Sequence, residues 1–175
     1  MTTLVLGYGN PGRQDDGLGP ALAEAVAQWA FPNVRVLDNY QLNIEDAAEL
    51  AQVETAVFAD AACTGESAFV WQVLRPAPKI AFTTHALAPQ SLLALCQDLY
   101  QRIPRAFLLA VRGYQFGFGD DLSRLAQQNL KRALAFLLPL LRQPVQQWPD
   151  FFGPSTHQRT DAACGQSSSR SHFGE

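Results

Sequence analysis

Residues 6–20 read LGYGNPGRQDDGLGP, and how this loop is interpreted decides the fold. They close an apolar run that starts at Thr3 and place Gly7, Gly9 and Gly12 in the G-x-G-x-x-G spacing of a dinucleotide-binding turn. In that turn a helix begins at the second glycine and points its N-terminus at pyrophosphate. Here Pro11, Gly12, Gly17, Gly19 and Pro20 delay any helix, and Asp15 and Asp16 would set negative charge beside phosphate. The loop reads better as a strand-to-helix connection that carries an acid to the mouth of a sheet, with Asp16 as that acid. An aspartate before glycine also serves as turn or cap, and the loop alone leaves both roles open.

Outward from this loop, short apolar runs alternate with helical patterns. The runs are Thr3 to Gly7, Val34 to Asp38, Thr55 to Asp60, Ala68 to Val73 and Ala106 to Arg112. Most lack polar alternation, as strands buried on both faces do. Leu22, Val26 and Trp29 recur at helical spacing after Pro20, and Pro32 is expected to end that helix. Asn43 and Asp46 form a capping pair, and Pro89 opens a helix with Leu92, Leu93 and Cys96 on one face. A last helix begins near residues 121–123, with Pro139 expected to kink or end it. The order is βαβαββαβα. It predicts a three-layer α/β/α fold whose mostly parallel, five-stranded twisted sheet has helices on both faces. Residues 1–148 form the expected domain. Residues 149–175, rich in Ser and Gly and containing His157, Cys164 and His172, form an expected disordered polar tail.

At 175 residues and 47% hydrophobic content the chain suits one core. A net charge of −3 offers no electrostatic footprint for nucleic acid, and no apolar stretch is long enough to span a membrane. A cytoplasmic monomer is expected, without nucleic-acid or membrane partners. Cys63, Cys96 and Cys164 are too few and too scattered for a disulfide framework and read as reduced thiols.

Two further residues join Asp16. Asp60 closes an apolar run in VFADAACTG, and His85 stands in FTTHALAP ahead of the helix opened by Pro89. In an open parallel sheet the loops after the strand ends share one crevice. Two carboxylates and an imidazole meeting there make a mixed oxygen and nitrogen set suited to nickel or zinc. The spacing also leaves open a solvated Asp60 and a structural His85. A Cys63/His85 nucleophilic pair is a further reading. No G-x-S-x-G or H-E-x-x-H motif is present.

LGYGNPGRQDDGLGP resembles the opening signature of the hydrogenase maturation proteases, endopeptidases that trim the C-terminal extension from the large subunit of [NiFe] hydrogenases. VFADAACTG and TTHALAPQSLLAL resemble the family's second and third motifs, in the right order. YQLNIEDAAEL and RGYQFGFGDDLS resemble its connecting segments, so the likeness runs from Thr3 to about Leu141. It implies that Asp16, Asp60 and His85 are catalytic and read nickel already installed in the precursor, a metal the isolated protein holds weakly. It also implies that Gly7, Gly9, Asn10 and Gly17 shape the first loop. YQLNIEDAAEL looks most like members serving bidirectional, NAD(P)-linked hydrogenases. Escort of the precursor by a nucleotide- or nickel-binding protein that does not cut it is the alternative.

Overall fold

Every apolar run becomes a strand. In the computed structural model, which describes residues 2–78 and 87–153, these are β1 (Thr3–Tyr8), β2 (Val34–Asn39), β3 (Thr55–Ala62), β4 (Phe69–Leu74) and β5 (Arg105–Arg112). The helices are α1 (Leu18–Ala27), α2 (Asp46–Leu50), α3 (Pro89–Tyr100) and α4 (Arg124–Leu141). The sheet order is β2-β1-β3-β5-β4-β6, with β6 a short strand at Phe151–Phe152. Strands β2, β1, β3 and β5 run parallel, while β4 is antiparallel to β5 and to β6.

The α/β/α architecture is as expected, with a sixth strand that corrects the count of five. Phe151 and Phe152 are a run too short to register as a strand in sequence, yet their neighbours are tied down. Val73 N–H donates to the Asp150 carbonyl at 2.7 Å, Trp71 Nε1–H donates to the Pro149 carbonyl at 2.7 Å, and Phe152 stacks on Phe69 at 5.4 Å. The folded unit therefore runs past 148 to at least Gly153. Residues 154–175, including His157, Cys164 and His172, lie outside the described residues. Pro139 falls in the last turn of α4, which ends two residues later, in keeping with its expected place at the helix end. Pro89 does open α3, and Ser123 caps α4 by accepting from Ala126 N–H.

Strand periodicity sorts the core into two layers. Val5, Val57, Phe107 and Leu109 face α1 and α4 through Leu18, Leu22 and Leu137. Leu4, Leu6, Phe58 and Leu108 face α2 and α3 through Leu50, Leu92, Leu93 and Cys96. Each fully buried Leu or Phe contributes roughly 1.5–3 kcal/mol of apolar transfer. Edge strand β2, half-exposed along its length, departs from the expected two-sided burial. The four parallel strands end on one side of the sheet, which gathers Tyr8, Asn39, Ala62 and Arg112 there.

Candidate active site

The first loop meets this carboxyl edge through close backbone packing. A Cβ at Gly7 would lie 2.2 Å from the Gly19 carbonyl, and one at Gly19 would lie 2.5 Å from that of Ala59. Hence α1 can start directly against β1 and β3 only if both residues are glycine. Gly9 adopts φ +141°, and a Cβ there would stand 2.0 Å from the Asp16 carbonyl, so this glycine fixes where Asp16 goes. Between loop and helix lies a 3-10 turn, Gln14–Gly17, packed against β3. The helix starts at Leu18 and not at the second glycine, so the pyrophosphate-binding geometry of the dinucleotide fold is missing.

The two adjacent aspartates part company in that turn. Asp15 is buried, and its carboxylate accepts from Tyr114 N–H (2.7 Å), Gln115 N–H (2.9 Å), Ser123 N–H (2.6 Å) and Ser123 Oγ–H (2.7 Å). Burial is the largest influence and would raise its pKa, but these four bonds together outweigh it and hold the group below the usual carboxylate value. Asp15 thereby ties the first loop to residues 113–123. Gln14 N–H to the Gly119 carbonyl (2.7 Å), Gly119 N–H to that of Gly12 (3.0 Å) and Arg13 to the Phe116 carbonyl (3.0 Å) reinforce the tie. Asp16 is half-buried, and its Oδ2 accepts from Asn10 N–H at 2.9 Å. Asn10 Oδ1 in turn accepts from Gly12 N–H at 2.9 Å, so Asn10 shapes the loop as expected.

Asp60 lies inside β3, paired with Ala110 of β5, and two further strand residues follow it. It is 8% exposed, and its Oδ1 accepts from Ala61 N–H at 2.7 Å. Burial lifts its pKa to about 7, against the lowering effect of the Tyr8 hydroxyl and the Ala61 N–H, and the negative charge of Asp16 adds to the rise. Asp16 and Asp60 are therefore close enough to repel. His85 lies outside the described residues; the segment containing it leads to α3, which packs on the sheet face from which Asp60 projects. Among the described residues no group of three or more His, Cys, Asp or Glu is arranged to hold a metal ion. Cys63 and Cys96 are free thiols, and Cys164 lies outside the described residues.

Residues 113–123 and the segment after β2 rim this edge with exposed apolar groups. Phe118, 97% exposed, projects between Gly117 and Gly119, and Tyr114, Tyr40 and Ile44 are also exposed. Behind the first loop a groove of about 660 Å³ runs between α1 and β2, with Glu24, Asp38 and Asp120 among its walls. Asp38, near the end of β2 where a dinucleotide-binding fold sets an acid on the ribose, thus shares its groove with two more acids, a poor setting for phosphate. Two residues escaped the sequence reading, Asp15 and Tyr8. Only the doubling DD in a glycine loop hinted at a separate task for one of the two acids.

No protein-family model matches the chain, and no curated protein does. Solved structures do match. A [NiFe] hydrogenase maturation protease, HycI, from Thermococcus kodakarensis KOD1 superimposes with a TM-score of 0.65 at 19% identity, covering 81% of this chain and 93% of that one. This chain has the fold of the [NiFe] hydrogenase maturation proteases. The hydrogenase maturating endopeptidase HybD from Escherichia coli gives a TM-score of 0.64 at 23% identity, with 81% and 93% covered. The endopeptidase HycI from Escherichia coli gives 0.62 at 22% identity, with 81% and 92% covered. All of these likenesses are of fold.

Proposed function

We propose that the chain is an endopeptidase that removes the C-terminal extension of a nickel-loaded [NiFe] hydrogenase large-subunit precursor in the cytoplasm. The observation that carries this reading is the convergence of Asp16 and Asp60, brought by separate sequence motifs to one edge of a sheet with the fold of maturation proteases. A buried acid whose few hydrogen-bonding neighbours do not offset its desolvation, set beside a second acid, is costly to hold and suits chemistry better than structure. With His85 these carboxylates would hold the precursor's nickel, which when bound can polarise a peptide carbonyl or acidify a water. Asp60 would enter that set as carboxylate, giving up the proton that its burial favours at neutral pH. The nickel is substrate cargo, so binding to the isolated protein is expected to be weak. Phe118 and Tyr40, flanking the first loop, supply apolar area for docking the precursor. The segment YQLNIEDAAEL, which forms α2 and its approach, inclines the partner toward a bidirectional, NAD(P)-linked hydrogenase.

Mass spectrometry of a cognate large-subunit precursor, incubated with the protein in nickel-loaded and nickel-free forms, tests the reading. Loss of one defined C-terminal peptide from the loaded form alone is expected. An intact, demonstrably loaded precursor would leave escort without cleavage. Cys63→Ser is expected to cut normally, which separates this mechanism from a thiol hydrolase.

A further inference from the structure

Tyr8 ends β1, and the pairing of Gly7 with Ala59 sets it beside Asp60 in the neighbouring strand. Alternation along both strands puts the two on the face that also carries Leu4, Leu6, Ala56 and Phe58. Its hydroxyl is buried against the Asp60 carboxyl, close enough to lower that group's pKa, yet among the described residues it makes no hydrogen bond of standard geometry. A buried hydroxyl without a hydrogen-bond partner destabilises a fold. Phenylalanine would fill the same space without that cost, so the hydroxyl calls for an explanation in a state other than the resting one.

We propose that Tyr8 is a positioning residue whose hydroxyl donates a hydrogen bond to the Asp60 carboxylate when that carboxylate engages the precursor's nickel. The inference rests on the functional reading above. The donor set fits. Asp60 Oδ1 already takes the Ala61 N–H, an interaction that fixes only one oxygen of the carboxylate. A neutral phenol restrains the group further without adding charge, and it leaves lone pairs for the metal. The same stretch of chain serves the other acid, because Asn10, two residues beyond Tyr8, holds Asp16 through its N–H. One strand end thus orients both carboxylates.

Tyr8→Phe keeps the ring and removes only the hydroxyl. Three quantities are compared with the wild type: Tm of the metal-free protein, Ni²⁺ affinity by calorimetry, and kcat/KM on the nickel-loaded precursor. The expected result is a Tm equal to or above that of the wild type, with Ni²⁺ affinity and kcat/KM each lowered about 10–100-fold. Unchanged affinity and turnover overturn the proposal, and so does a lowered Tm that accounts for the lost activity. If the wild type leaves a loaded precursor intact while Tyr8→Phe still weakens Ni²⁺ binding, the positioning role stands and the proteolytic reading falls. A wild type that neither cuts nor binds Ni²⁺ overturns both.

Discussion

Asp15 and Asp60 are both buried carboxylates at the same edge of the sheet, and their surroundings push them in opposite directions. Asp15 accepts four hydrogen bonds from the chain beyond β5 and is held ionised. Asp60 accepts one from its own neighbour Ala61, faces the charge of Asp16 and is pushed up to about 7. Two carboxylates shielded from solvent therefore become a structural rivet in one place and a group poised near neutrality in the other. Four donors outweigh desolvation at Asp15, whereas at Asp60 burial is the larger influence and the charge of Asp16 adds to it.

The largest effect expected from this contrast is on turnover. Asp60→Asn and Asp16→Asn should each reduce processing of the loaded precursor by about 10³-fold or more, some 4 kcal/mol of barrier, with the fold intact. Circular dichroism and single-turnover cleavage read the two halves of that statement. A variant of either residue that cuts at near wild-type rate removes that acid from the chemistry.

Next in size is the rivet. Asp15→Ala leaves the N–H groups of Tyr114, Gln115 and Ser123 without their acceptor in a buried place, and a stability loss of about 3 kcal/mol is expected from denaturant unfolding. Activity should fall with it, because residues 113–123 present Phe118 and border the first loop. A loss below 1 kcal/mol would mean that water replaces the carboxylate and that the tie is incidental.

The two acids also predict opposite pH dependence. The folded-state pKa of Asp60 is raised, so the folded form binds more protons than the unfolded one between about pH 4 and 7. The stability that its neutral form supplies is complete below pH 4 and is lost as pH rises toward 7. Asp60→Asn should therefore be more stable than the wild type at pH 8 and indistinguishable from it near pH 4. Asp15 acts the other way. Its contribution is present above the ordinary carboxylate range and disappears as pH falls through its lowered folded-state pKa. An Asp60→Asn protein without any gain at pH 8 would show that water or a counter-charge reaches Asp60.

These differences set the limits of what the sequence carries. Strand runs, helix starts at Pro89 and near Ser123, and the layered order were legible, because they are local patterns of apolarity and capping. Asp16 and Asp60 were legible as acids delivered to loops and strand ends in an open sheet. The partners of Asp15 were not, since they lie about a hundred residues away and bond through backbone N–H groups that every residue type possesses. Tyr8 was hidden for a related reason. Its neighbour is chosen by the pairing of β1 with β3, and nothing in LGYGN states which strand lies beside it. The strand at Phe151–Phe152 was missed because its stability comes from Trp71 and Phe69 and not from its own length.

The smallest effect concerns Ser123, where the rivet and a helix start share one hydroxyl. Ser123 Oγ–H donates to Asp15 at 2.7 Å while the same oxygen accepts from Ala126 N–H at 3.2 Å to cap α4. Ser123→Ala removes both bonds, but Asp15 keeps its three backbone donors, so a loss of about 1–2 kcal/mol is expected from thermal unfolding. Ser123→Asp separates the two contributions. It restores a capping oxygen while setting a second negative charge against Asp15, so it should be less stable than Ser123→Ala if the bond to Asp15 matters more, and more stable if the cap does. The first result is expected, since a buried carboxylate tolerates the loss of one donor far better than the arrival of a like charge.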